Sequence, residues 1–148
     1  MKILITGCAG FIGFHLCRKF LNNNVSVIGV DNINKFNDYK LKKSRMNLLL
    51  KFKNFKFSKC DIKSKNKIGE LFSRNKFDCV IHLAAQAGVR DSIENPGIFI
   101  ESNITGFGNI IEHCKNYKIK KFIYASSSSV YGMNSTKPSK EKENCDKP

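Results

Sequence analysis

The stretch GCAGFIG sets glycines at positions 7, 10 and 13, directly after the apolar run KILIT and at the start of a segment of helical period. Each position suits a residue without a Cβ. Gly7 permits a tight turn, Gly10 lets backbone approach a pyrophosphate, and Gly13 lets a helix pack closely. The N-terminus of that helix adds free N–H groups and a partial positive charge for phosphate. Asp31 closes the second apolar run, VSVIGV, at the spacing of about twenty residues where a dinucleotide fold places an acid on the ribose hydroxyls. A carboxylate there accepts hydroxyl hydrogen bonds and repels a 2′-phosphate, which favours NAD over NADP, while Lys35 nearby softens the preference. The alternative for Asp31 is a plain turn residue at a loop start. Asp61, after a third run, reads either as a neighbour of adenine or as a helix N-cap. A second polar group, Ser126 to Ser129 in ASSSSVYG, follows the last apolar run; on composition alone it is a turn.

Short β-branched runs alternating with longer helical segments must position these residues, the pattern of a parallel sheet covered by crossover helices. Strands are predicted at 2–6, 25–30, 55–60, 78–83 and 121–126, and helices near 11–23, 39–51, 64–75 and 97–117. In the first helix Ile12, Leu16 and Phe20 form the stripe expected to face the sheet. The third is weakened by few apolar residues and an interior Gly69. Beyond Tyr131 the chain reads as polar loop. The fold class expected is α/β, a Rossmann-type doubly wound parallel sheet that is incomplete: about five strands, with a sixth strand and a C-terminal substrate region absent, in one domain over 1–148.

The chain of 148 residues carries 26 Lys and Arg against 12 Asp and Glu, a formal charge of +14. That excess raises nucleic acid or an acidic membrane surface as partners. The basic residues, however, are scattered through 35–67 and 115–121 among apolar ones, which favours a solvated lysine surface over either. Six cysteines, Cys8, Cys17, Cys60, Cys79, Cys114 and Cys145, lie far apart without C-x-x-C or metal-ligand spacing, so no metal is expected. They read as small buried hydrophobes of a reducing cytoplasm. No apolar run approaches the roughly 18 residues of a membrane span, and a soluble, cytoplasmic protein is expected.

Together GCAGFIG, VDNIN, CDI, HLAAQAGVRDSIENP, ESNITGFGNIIE and KKFIYASSSSVYG resemble, in order and spacing, the extended short-chain dehydrogenase/reductases that act on nucleotide sugars. Within the NAD-dependent epimerase/dehydratase group, AAQAGVR is most similar to the UDP-glucuronate 4-epimerases of polysaccharide biosynthesis. The resemblance implies that Gly7, Gly10, Phe11, Ile12 and Gly13 hold the pyrophosphate, and Asp31, Asn32 and Asn34 the adenosine ribose. It puts Asp61 and Ile62 beside adenine, Leu83, Ala84, Ala85 and Gln86 along the cofactor, and Ser102, Asn103 and Ser126 near it, with Asn103 also read as a backbone clamp. Arg90, Ser127, Ser128 and Ser129 would face the sugar, Ser127 and Ser128 being the catalytic hydroxyls that orient its reacting oxygen.

The implied reaction is transient oxidation at sugar C4 by NAD, with a tyrosine base of lowered pKa, followed by hydride return to the other face. Two stretches spell the required Tyr-x-x-x-Lys, Tyr39 to Lys43 and Tyr117 to Lys121, but one falls on the adenine side and the other precedes the fifth strand. Extending the pattern sets the true pair just past Pro148, so this polypeptide is expected to be inactive alone, with a homodimer or a missing C-terminal half as candidate partners. The competing readings are a non-catalytic NAD-binding or interaction module, a nucleotide-sugar 4,6-dehydratase fragment, and a basic RNA-binding protein.

Overall fold

A computed structural model describes residues 1–35, 39–132 and 138–142. Cys145 and most of the polar stretch beyond Gly132 lie outside them. Five parallel strands, β1 (Lys2–Thr6), β2 (Ser26–Asp31), β3 (Phe55–Lys59), β4 (Cys79–His82) and β5 (Phe122–Tyr124), form one sheet in the order β3-β2-β1-β4-β5. Strand order reverses between β1 and β4, and in open α/β sheets the crevice at the strands' carboxyl ends at such a point is where ligands bind.

Alternation along the strands separates two cores. Ile3, Ile5, Val27, Cys79 and Ile81 pack on one face with Phe14, Cys17 and Leu21 of α1 (Phe11–Asn22) and Met46 and Leu49 of α2 (Tyr39–Leu49). Leu4, Ile28, Val30 and Val80 pack on the other with Ile68 and Phe72 of α3 (Lys65–Ser73) and Ile110 and Cys114 of α6 (Phe107–Asn116). Period-two side chains and helices on both faces are what a doubly wound sheet requires.

Two expectations need correction. In α1 the fully buried stripe is Gly13, Phe14, Cys17 and Leu21; Leu16 and Phe20 flank it, and Ile12 is 64% exposed. The helix begins at Phe11 with Gly13 pressed to the turn, which rotates Ile12 outward. The helix expected over 97–117 is instead α5 (Pro96–Ile100), a π-helical turn (Glu101–Gly106) and α6, preceded by α4 (Val89–Glu94), which was not foreseen. Gly106 sits in the π turn because a Cβ there would lie 2.7 Å from the Ile62 side chain. The interior Gly69 of α3 has a similar cause, a would-be Cβ lying 3.0 Å from His113 Nε2.

Cys8, Cys17, Cys60, Cys79 and Cys114 are free and buried. Burial pushes the Cys17 thiol up to about 12 and the Cys114 thiol up to about 11, away from the reactive thiolate. Among the described residues no helix is long and apolar enough to cross a membrane.

Candidate functional site

Gly7 leaves β1 at φ +72, and a Cβ there would stand 2.8 Å from Ala84 N. Its own N–H donates to Val30 O at 2.7 Å, anchoring the turn to β2. Gly13 crosses so close behind that a Cβ would lie 2.1 Å from Gly7 O, far inside contact distance. Turn and helix therefore touch backbone to backbone. Gly10 caps α1 in extended conformation with no side-chain cap, so the first-turn N–H groups at Phe11 and Ile12 have no partner a turn earlier.

Asp31, 9% exposed, bridges this turn to the loop after β2. Its Oδ2 accepts the Ala9 N–H at 3.1 Å and its Oδ1 the Ile33 N–H at 2.9 Å. Ile33 is held at φ +49, a region unfavourable for a β-branched side chain, so the carboxylate fixes a strained loop. A carboxylate offers about four acceptor sites, and the two backbone donors leave capacity for further hydroxyls. Asn34 takes the Lys42 Nζ–H on its Oδ1 at 2.6 Å. Asn32 donates to Asp61 Oδ2 at 3.0 Å.

A cleft lies between these loops, lined by Gly7, Gly10, Val30, Asp31, Asn32, Asn34, Lys42, Cys60, Ile62, Leu83, Ala84, Ala85, Gln86 and Ser102. The structure thus brings together eleven of the expected cofactor residues around one space. Of the others, Gly13 braces the turn from behind, and Asp61 faces Asn32 and its own loop, accepting the Lys63 N–H at 3.0 Å. Phe11 and Ile12 carry exposed side chains outside the cleft. Val30, Cys60 and Lys42 were not foreseen; the first two end strands that were, whereas Lys42 is one of many lysines and carried no distinguishing signal.

Gln86 is 8% exposed, and its Nε2 is the one buried side-chain nitrogen or oxygen without a partner among the described residues. Its backbone is clamped on both sides by Asn103, whose Oδ1 accepts the Gln86 N–H at 2.7 Å while its Nδ2 donates to Gln86 O at 2.9 Å. Asn103 and Ser102 both ride on the π turn, a local widening frequent at functional sites. An orphaned amide donor at the wall of a polar cleft costs stability unless something accepts from it.

A second cleft adjoins the first through Leu83, Ala84 and Ala85 and is completed by His82, Asn103, Phe107, Tyr124, Ala125, Ser126 and Ser127. Ser127 Oγ accepts the Ser129 N–H at 3.2 Å and caps the 3-10 turn Ser128–Tyr131. Ser128, Ser129 and Arg90 line neither cleft, and Arg90 stands exposed on α4. Lys43 Nζ sits 4.7 Å over the Tyr39 ring at the start of α2, and Tyr117 stacks with His113 and Phe72, so both spelled Tyr-x-x-x-Lys tyrosines are away from this second cleft.

The chain matches the NAD dependent epimerase/dehydratase family over residues 3–148. Protein CapI of Staphylococcus aureus is 48% identical over all of this chain and 44% of its own length. The UDP-glucuronate 4-epimerase of Thermodesulfobacterium geofontis is 45% identical over 86% of this chain and 40% of its own. Among solved structures, the Bacillus cereus UDP-glucuronic acid 4-epimerase in complex with UDP-glucuronic acid and NAD superposes with TM-score 0.83 at 38% identity, covering 92% of this chain and 43% of that one. The UDP-Glc/GlcNAc 4-epimerase of Campylobacter jejuni gives 0.85 at 33% identity, covering 99% and 43%. The chain spans less than half the length of these relatives. With the family match running over nearly its whole length, the chain belongs to the NAD dependent epimerase/dehydratase family.

Proposed function

We propose that this chain forms the dinucleotide-binding part of an NAD-dependent nucleotide-sugar 4-epimerase acting on UDP-glucuronate. The observation that carries the reading is the cleft itself: backbone N–H groups of the turn after β1 at its middle, the anchored Asp31 carboxylate after β2 on one side, and the unpaired Gln86 amide after β4 on the other. These groups fit NAD. The main chain from Gly7 to Gly13, including Phe11 and Ile12, holds the diphosphate; Asp31, Asn32 and Asn34 hold the adenosine ribose. Ile62, with Asp61 behind it, flanks adenine, and Leu83 to Gln86 with Ser102, Asn103 and Ser126 line the remainder. When bound, NAD supplies reversible hydride transfer at a sugar carbon.

In the second cleft the chain's own part is to orient a hydroxylated substrate. Ser127 offers a hydroxyl at the lip of β5, with Ser128 and Ser129 on the turn that it caps. Arg90 lies outside this cleft, exposed on α4, and takes no part in this reading. The preference for UDP-glucuronate is supported by the relatives that carry that name. Calorimetry tests the reading: NAD binds saturably, NADP at least about tenfold more weakly because Asp31 repels a 2′-phosphate, and in the complete enzyme UDP-glucuronate adds heat to the NAD complex. Equal affinity for NAD and NADP would remove the role given to Asp31.

A further inference from the structure

Thr6 ends β1 and His82 ends β4, paired across the sheet and both buried. Thr6 Oγ1 lies 2.7 Å from His82 Nδ1. The same Oγ1 accepts the Leu83 N–H at 3.2 Å and the Ala84 N–H at 3.1 Å. A hydroxyl oxygen has two lone pairs, and these two donors occupy them. The Leu83 N–H is shared with Thr6 O at 3.3 Å, but with the Ala84 N–H also on Oγ1 the hydroxyl is best satisfied by donating its own proton to Nδ1. This bonding favours the His82 tautomer protonated on Nε2. Among the described residues Nε2 has no hydrogen-bond partner, and the atom retains a small solvent opening. His82 lines the second cleft, and the Phe107 ring packs on it at 5.5 Å. Burial, which pushes His82 down to about 4, keeps the ring neutral and the arrangement in force through neutral pH.

We propose that Thr6 and His82 form a fixed donor unit in which Thr6 sets the tautomer and His82 Nε2–H binds an acceptor oxygen of the ligand taken by the cleft beside Ser126 and Ser127. Its ligand half rests on the sugar reading given above for that cleft. The ligand chemistry is an uncharged or anionic oxygen, a hydroxyl, carbonyl or carboxylate, since a neutral N–H donor discriminates little among these. A hydrogen-bond donor in the ligand would find no acceptor on the ring. Among the described residues no charged side chain lines this cleft; its polar lining, besides His82, is Tyr124, Ser126, Ser127 and Asn103.

The test is long-range proton–nitrogen correlation NMR on protein labelled in its histidines. The unliganded protein is expected to show His82 with a bare Nδ1 and a protonated Nε2. Thr6→Ser should retain that signature and Thr6→Val should lose it to a tautomer mixture. Saturation with NAD and UDP-glucuronate should shift the Nε2 proton resonance downfield, and His82→Phe should weaken UDP-glucuronate binding about tenfold. A proton on Nδ1 in the wild-type protein overturns the tautomer assignment without any variant needing to fold. An Nε2 resonance unmoved when calorimetry registers both ligands overturns the donor role. A flat calorimetric trace fails the functional reading and the ligand half with it, while the tautomer result decides the Thr6–His82 pair by itself.

Discussion

Asp31 accepts the Ala9 N–H at 3.1 Å, so the acid at the end of β2 is bonded to the turn at the end of β1. One carboxylate both closes the cleft and presents its remaining acceptor sites inside it. Asp31→Ala removes this tie, the Ile33 contact and the ribose acceptor together. NAD affinity should fall about ten- to a hundredfold by calorimetry, because hydrogen bonds to charged groups contribute roughly 1.5–3 kcal/mol. Asp31→Asn retains the size of the side chain and should narrow the preference for NAD over NADP.

Gly13→Ala should be severely destabilising. The added carbon would lie 2.1 Å from Gly7 O, and the neighbour is backbone that cannot swing aside. A loss of about 3 kcal/mol or more is expected in denaturant unfolding, typical of overpacking against a rigid partner. Gly108, with nothing within 4 Å of its would-be Cβ, is the control: Gly108→Ala lies inside α6 and should stabilise by up to about 1 kcal/mol.

Gln86→Met separates binding from folding. It deletes a buried donor that has no partner in the free protein, so stability should rise by about 1 kcal/mol while NAD affinity falls. Asn103→Ala acts oppositely on stability, because two part-buried hydrogen bonds to the Gln86 backbone are lost and its N–H and C=O are left unpaired. A cost of about 2–3 kcal/mol is expected. Thermal melts with and without NAD read both effects.

How much of this was legible in the residues follows from the range of each signal. The glycine turn and Asp31 were readable because their requirements are local: a tight turn, a close helix and an acid at a strand's end. The serine turn was visible for the same reason. What escaped depended on distant partners. Ile12 faces solvent because Gly13, not Ile12, meets the turn, a contact between backbone atoms that no apolar pattern encodes. Within the π turn Gly106 meets Ile62, a pairing with no sequence spacing to reveal it. Thr6 and His82 are joined by the register of β1 against β4, which motifs alone do not supply. Asp61 read as either an adenine neighbour or a helix N-cap; Ser64 takes the N-cap of α3, and the Asp61 carboxylate accepts instead from Asn32 and from the Lys63 N–H.

His82 gives the protein an acid-sensitive joint. Burial lowers its pKa from 6.5 to about 4, so between these values the unfolded chain binds a proton that the folded chain refuses. Stability is therefore complete above about pH 6.5 and is lost as pH falls toward about 4, by roughly 3 kcal/mol in all. Unfolding midpoints measured across this window should decline in the wild-type protein. His82→Gln, which cannot titrate, should flatten that part of the decline.

The central claim is that the cleft between the Gly7 turn and Asp31 receives NAD. Amide chemical-shift mapping during an NAD titration addresses it most directly. Perturbations should concentrate at Gly7 to Gly13, Asp31 to Asn34, Cys60 to Ile62 and Leu83 to Gln86, with the opposite end of the sheet near Lys76 and Lys118 unmoved. Perturbations centred at that far end, or a spectrum unchanged at saturating NAD, would contradict the account.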